Sequence, residues 1–403
     1  MCRAREVLLS VDFAHSERSS VGVEWEFVLV DPATKAPVAV ADQLIAAVKR
    51  AGWLEGTEAL ADQRPTVVCA KGGAQVKPEL LGNCIELASM ARRTVAEAAE
   101  DLACGLEQLM ARASQLGVML MAAGTHPFAH AEEQAVVDTP RYRRLIDKTQ
   151  WWGRQQMIYG LHTHVGIEDQ AKVPPIIKAL AKHLPHLLAL TAASPWWGGV
   201  ATGYASNRAM IFQQLPTAGL PVQFDTWAEW EAYTADLLAA SVIDQVSEIR
   251  WDIRPAPGFG TVESRIGDAV PTLLEIRAIC ALTQCLVEEA STGLDRGEAP
   301  ASLPDWLVRE NKFRAARYGL EATVIVDRAG GQRPLRQDLA KLLTRLEPVA
   351  ARLDCLDDLA LIQVIVDKGA SYQRQRAAAE AASGDLTAVV TALTAELAAG
   401  QPL

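Results

Sequence analysis

The sequence predicts an α+β fold with an antiparallel sheet and a helical appendix at its C-terminal end, on three observations. Short β-rich runs and long amphipathic segments interleave, without the strict strand–helix–strand alternation of a parallel sheet. The β-rich runs alternate apolar with polar residues, the mark of strands with one buried and one open face. From about residue 334 the chain turns Ala- and Leu-rich, as in LRQDLAKLLTRLEPVAARL and GDLTAVVTALTAELAAG.

The elements follow in order. VGVEWEFVLV at 21–30 reads as a strand whose Val21, Val23, Trp25, Phe27 and Leu29 share one side. Further strands are expected at 84–89, 118–124, 160–167, 248–254 and 260–267. Thr94-Val-Ala-Glu97 is a capping box, and Val95, Ala98, Leu102, Leu106 and Leu109 then recur at helical spacing until Gly117. Thr226 to Glu229 repeats that signature. Helices are also expected at 173–193, at 271–291 with Pro271 in its first turn, and at 304–318 before Gly319. No linker or repeat cuts the chain, so one main unit at 1–330 with a helical extension at 331–403 packed on it is the expected organisation.

Composition narrows the function classes. Half of the 403 residues are hydrophobic, enough for a large core and against disorder. Acidic residues outnumber basic ones, 49 to 39, and no Lys/Arg run is long enough to track a phosphate backbone, which argues against a nucleic-acid partner. Cys2, Cys69, Cys84, Cys104, Cys280, Cys285 and Cys355 are odd in number and never spaced CxxC. That pattern fits reduced thiols better than a disulfide framework or a zinc site. The start MCRAREVLLSVDF lacks a signal-peptide core and no 18-residue apolar run occurs, so no membrane partner and a cytoplasmic location are expected.

Four predicted strands present charged faces. Glu24 and Glu26 share the side opposite Trp25; Glu86 stands between Ile85 and Leu87; His162 and His164 share a side, as do Glu263 and Arg265. Glu24 and Glu26 would lie roughly 6.6 Å apart and repel by on the order of 2 kcal/mol. One such strand fits a solvated outer face; four that combine carboxylates, imidazoles and an arginine fit one lined cleft better. Mg²⁺ or Mn²⁺ takes carboxylate oxygens and leaves positions for phosphate oxygens, and Arg265 suits a transferring phosphoryl group. Neither GxxxxGK[ST] nor GxGxxG is present. HxH beside carboxylates also suits a zinc-dependent hydrolase, although the surplus of Glu favours a harder ion. Either histidine is also readable as a hydrogen-bonded core imidazole.

The string VGVEWEFVLVD, KPELLGNCIELAS, GTHPFA, TPRYRRLID, GLHTHVGI, SPWWGGVATGYASNRAMIFQQLPTAG, WDIRPAPGFGTVESRIGDA and RAARYGLEA resembles the glutamate-cysteine ligase type 2 family, over about 21 to 322. The resemblance implies a curved antiparallel sheet with outer helices, similar to the catalytic sheet of glutamine synthetase, and a site on its concave charged face. It implies that Glu24, Glu26, Glu86 and Glu263 are ligands of Mg²⁺ (or Mn²⁺), with His162 and His164 against metal and nucleotide phosphates. Arg208, Arg254 and Arg265 match arginines for substrate carboxylate and γ-phosphate. Asn207, Tyr204 and Gln155 are secondary candidates, more structural than substrate-binding. The implied reaction uses ATP to phosphorylate an amino-acid carboxylate, after which an amine attacks the acyl phosphate. Glutamate and cysteine are the default small-molecule pair, a homodimer is the family habit, and SPWWGGVATG and RPAPGFG are the lid candidates. The chain departs from the family pattern at Trp25, Val200, Ala201, Ala256 and Gly258, each a site where a polar group beside the active site would be missing. A different acid or amine, a metal-dependent hydrolase and a degenerate nucleotide-binding protein are the alternatives.

Overall fold

Trp25 and Phe27 are fully buried while Glu24 and Glu26 point the other way, so the alternation in the strand Val21–Val30 is realised as a core face and a charged face. A computed structural model describes residues 10–55, 66–69 and 72–403. Val21–Val30 lies inside a nine-stranded sheet. The strand order is Ile253–Ala256, Thr261–Asp268, Gly160–Gly166, Val21–Val30, Cys84–Ala88, Gln75–Pro78, Val67–Val68 and Leu54–Glu55. Met119–Met121 pairs with the end of Val21–Val30. Every pairing in this sheet is antiparallel, as expected for an α+β fold.

Helices cover the apolar face. Val95–Gln115 and Leu273–Asp295 pack against Val21–Val30, and Val173–Thr191 packs against Thr261–Asp268. Both capping boxes form: the Thr94 hydroxyl accepts from Glu97 N–H and the Thr226 hydroxyl from Glu229 N–H, each at 3.2 Å. The helical appendix consists of Leu335–Arg352, Leu356–Lys368, Ser371–Ala381 and Leu386–Ala399. Its Leu339, Ile362, Tyr372 and Leu393 belong to the same apolar cluster as Trp25. Arg374 joins the two regions by pairing with buried Glu275 at 2.8 Å. Among the described residues no helix is long and apolar enough to cross a membrane.

Three expected elements differ. The strand expected at 248–254 divides: Arg250–Trp251 pairs with Ala218–Gly219 in a separate parallel ladder, and Ile253–Ala256 forms the edge of the main sheet. Asp252 sits at the break, its side chain taken by buried Lys312 at 2.7 Å. The strand expected at 118–124 ends at Met121, and Gly124 N–H instead donates to Ala193 O at 3.1 Å. Pro271 precedes its helix rather than standing in the first turn, because Thr272 is the N-cap and its hydroxyl accepts from Glu275 N–H at 3.2 Å.

Candidate active site

Sheet register brings the charged faces together. Glu24 stands opposite His162 and Gly22 opposite His164, while Glu26 stands opposite Glu86 on the other neighbour. Glu263 stands opposite His164 on one side and Arg254 on the other, and Lys77 stands opposite Glu86. The register shifts between Ser264 and Gly267, a bulge that sets Arg265 and Ile266 against the single residue His162. These side chains converge on a cavity of about 220 Å³ lined by Glu24, Glu26, Glu86, His162, Arg208, Arg254 and Arg265.

The acidic part is tightly connected. His162 Nδ1 lies 2.9 Å from Glu24 Oε2, and Lys77 Nζ lies 2.7 Å from Glu86 Oε1 and 3.8 Å from Glu24 Oε1. His164 Nδ1 meets the Thr261 hydroxyl at 2.9 Å, and its Nε2 lies 3.7 Å from Glu24 and 3.9 Å from Glu263. Glu26 accepts from Gly160 N–H at 2.5 Å. Both oxygens of Glu263 are engaged by guanidinium groups: Arg254 Nε at 2.7 Å on one and Arg265 on the other. Arg208 is placed by its own backbone N–H, which donates to the Ser194 hydroxyl at 3.0 Å, and by side-chain bonds to the carbonyls of Arg265 and Ile266.

These contacts set the charge states. Burial works against ionisation of Glu24, but Lys77 and the two histidines hold its carboxyl well below the usual range. Burial and the charge of Glu79 push Glu26 up to about 7 despite Arg208. Burial opposes ionisation of Glu263 too, and Arg254 with Arg265 outweighs it. Burial and the charge of Arg265 lower His162 to about 4, so its imidazole is neutral at pH 7 and able to act as a ligand.

The donor set fits a hard divalent cation. Glu24, His162 and Glu263 form one group, and Glu26, Glu86 and His162 another, each with ligand atoms within 4.8 Å of one another. Burial, and then the charge of Glu79, raise Glu26 to about 7, and a cation bound there would favour its ionised form. The arginines form the complementary half, suited to anions: burial first, and then the charges of Arg141, Arg254 and Arg265, depress Arg250 to about 10.

The family model described as glutamate-cysteine ligase family 2 matches residues 20–392. The chain belongs to this family. A protein of Arthrobacter sp. (strain FB24) named "Putative glutamate--cysteine ligase 2-1" is 48% identical over 392 residues, 97% of this chain and 99% of that one. A Mycobacterium ulcerans (strain Agy99) relative, named likewise without the final suffix, is 49% identical over 388 residues, 96% of this chain and 93% of its own. The solved glutamate–cysteine ligase of Francisella tularensis in complex with AMP shares the fold, with a TM-score of 0.67 at 13% identity, over 96% of this chain and 90% of that one. The Pup ligase PafA, solved with Pup, also shares it, with a TM-score of 0.55 at 12% identity over 93% and 71%. This member of glutamate-cysteine ligase family 2 is a ligase that forms carbon–nitrogen bonds.

Within this ligase the cavity is lined by Glu24, Glu26, Glu86, His162 and the three arginines, whereas Glu263 is fully buried outside that lining, His164 lines the adjoining cavity, and the secondary candidates lie outside. Tyr204 instead lies against Arg317 and Phe313, and the backbone N–H of Asn207 donates to Ser194 O at 3.1 Å. Gln156 lines the cavity rather than its neighbour Gln155. Of the two lid candidates, RPAPGFG contributes Arg254 and Phe259 to the lining, whereas the hairpin of SPWWGGVATG contributes nothing to it. Trp25 is a correction. It stands on the apolar face, fully buried with Nε1–H donating to Val270 O at 3.0 Å, so no polar group is missing beside the site at that position.

Sequence reasoning missed Lys77, Glu79, Arg141 and Arg250, all of which line the cavity. Lys77 and Glu79 stand two apart in KPEL, the period-2 spacing already used elsewhere, and that signal could have found them. Arg141 and Arg250 come from a helix and from a strand outside the main sheet, and no local spacing announces them. A second cavity of about 320 Å³, lined by Ser16, Ser20, Ser89 and Thr261, adjoins the first and shares Glu24, Lys77 and Phe259 with it.

Proposed function

We propose that this ligase is ATP-dependent and joins L-glutamate to L-cysteine through an acyl phosphate, releasing γ-glutamylcysteine, ADP and phosphate. The observation that carries the reading is one cavity whose lining combines the carboxylates Glu24, Glu26 and Glu86 with Arg208, Arg254 and Arg265. Glu24, Glu26, Glu86 and Glu263, with His162, would hold Mg²⁺ or Mn²⁺, which when bound neutralises phosphate charge and polarises the phosphoryl group. Lys77 favours the ionised form of Glu24 and pairs with Glu86. Arg265 and Arg254, held by Glu263, supply fixed positive charge where a phosphoryl group transfers. Arg208 faces the same space as an anchor for a substrate carboxylate. Phe259 stands at the junction of the two cavities, which offers separate room for nucleotide and amino acids and an apolar screen against water. We assign this chemistry to residues 1–330, with 331–403 as a helical extension packed on them.

The test is ADP release by the purified protein with MgATP, glutamate and a panel of amines including cysteine, with product mass read in parallel. The expected result is ADP release that requires both glutamate and cysteine and yields the γ-glutamylcysteine mass. ADP release with a different acid or amine would replace the substrate pair, and none with any pair would overturn the reading.

A further inference from the structure

The helix Val173–Thr191, which packs on the strands Ile253–Ala256 and Thr261–Asp268, also helps to wall a separate cavity of about 430 Å³. None of its lining residues is shared with the catalytic cavity. Lys182, Arg333, Lys341 and Arg345 line it, with Asp338 as the carboxylate of the lining.

The charges there do not balance. Asp338 is already committed, to His186 Nε2 at 3.0 Å and to Arg333. Arg345 pairs with Glu289 at 2.5 Å beyond the lining, and donates to His183 Nε2 at 3.4 Å. Because His183 accepts at Nε2, its proton sits on Nδ1, which is buried without a partner, and the ring adds no charge. Burial and neighbouring His186 and Arg345 hold His183 well below its ordinary range, in keeping with a neutral ring. Asp338 and Glu289 thus answer the two arginines. Lys182 and Lys341 make no hydrogen bond or ion pair with any described residue. Burial, and then Arg345, lowers the ammonium of Lys182, and the charges of Asp338 and Glu289 act the other way without outweighing them.

Lys182, partly buried, and Lys341, exposed, give the cavity two ammonium groups that no carboxylate pairs, a charge that suits a dianion. A phosphate group is a dianion at neutral pH, takes bonds from lysine and arginine together, and presents oxygens in several directions. Val324 and Ile325, both buried, and Leu342 supply an apolar wall that an inorganic ion would leave unused. We propose that this cavity is a second binding site, which takes a phosphate dianion between Lys182, Lys341, Arg333 and Arg345, carried on a small organic monoester.

The test titrates glycerol 3-phosphate, inorganic phosphate and succinate separately into the full chain, reading the imidazole resonances of His183 and His186. The parent is compared with the Lys182→Gln/Lys341→Gln variant, which removes charge without breaking a contact and so spares the fold. Saturable shifts at His183 are expected, strongest for glycerol 3-phosphate, weaker for inorganic phosphate, with affinity at least ~10-fold lower in the variant, as for loss of a charge-assisted bond. Equal binding of succinate would overturn the phosphate assignment, and equal binding of inorganic phosphate would overturn the ester. No shift at His183, or unchanged affinity in the variant, would remove the site.

Discussion

His162 Nδ1 and Glu24 Oε2 lie 2.9 Å apart across directly opposed positions of adjacent strands. With the carboxylate accepting, the proton of the neutral imidazole is on Nδ1, and Nε2 carries the lone pair that a cation would use. Glu24→Gln removes the charge that fixes this tautomer. ADP release is expected to fall at least ~10²-fold with the fold intact, the size of a lost transition-state contact. Unchanged turnover at limiting Mg²⁺ would remove Glu24 from the cation site.

Arg265 meets Glu263 through a planar guanidinium, and lysine keeps its charge but not the fork. Arg265→Lys should lower kcat at least ~10²-fold, as when one donor to developing charge is removed. Steady-state kinetics separate this from a KM effect, and full kcat would exclude Arg265 from phosphoryl transfer.

Gly160 has no room for a side chain: a Cβ there would lie 2.3 Å from Arg208 Nη2 and 2.8 Å from His162 Nε2. Gly160→Ala is expected to displace both groups and depress turnover at least ~10-fold, the scale of a misplaced positioning group. Near-normal circular dichroism would accompany the loss, since the strand backbone is otherwise ordinary. Wild-type kinetics would show that Arg208 and His162 need no such close approach.

Trp25→Glu tests the assignment of position 25 to the core. The substitution would leave a carboxylate in an apolar interior and a void beside Phe27, whose ring centroid is 4.3 Å from that of Trp25. A loss of at least about 5 kcal/mol is expected from truncation plus an unpaired buried charge. Urea unfolding measures it, and a stable, active variant would place position 25 outside the core.

Asp338 gives the acid limb of stability a specific contributor. Burial would raise its carboxyl, but the bonds from His186 and Arg333 hold it at about 2 against an ordinary 3.8. A carboxyl depressed in the folded state stabilises it fully above the unfolded value. That contribution is lost as pH falls through the folded value, so the window is from about pH 4 down to about pH 2. Asp338→Asn should flatten the decline of Tm across that window, by an amount worth at most about 2 kcal/mol. A parallel decline in both proteins would remove Asp338 from the acid response.

Local rules made much of this protein legible. A strand alternates by backbone geometry alone, so Glu24, Glu26, Glu86, His162, His164, Glu263 and Arg265 were readable as charged faces from their neighbours in sequence. The capping boxes at Thr94 and Thr226 close within four residues, and both were readable for the same reason. The family resemblance extended the reading to Arg208 and Arg254, which no strand alternation had marked.

Tertiary structure decided the rest, because pairing between distant segments depends on which strands become neighbours and at what register. Lys77 becomes a partner of Glu86 only when Gln75–Pro78 aligns with Cys84–Ala88. Arg141 and Arg250 arrive from elements with no sequence link to the sheet's charged faces. The hairpin Trp196–Ala201 is Gly-rich like a lid, yet Thr125 holds it through its hydroxyl to Trp196 O at 2.8 Å, away from the cavity lining. Likewise the basic cavity beside Lys182 combines a helix, a short hairpin and the C-terminal appendix. The alternation of side chains is a property of one strand and could be read along it, whereas the meeting of charges is a property of the packed sheet and its helices, settled by contacts made over hundreds of residues.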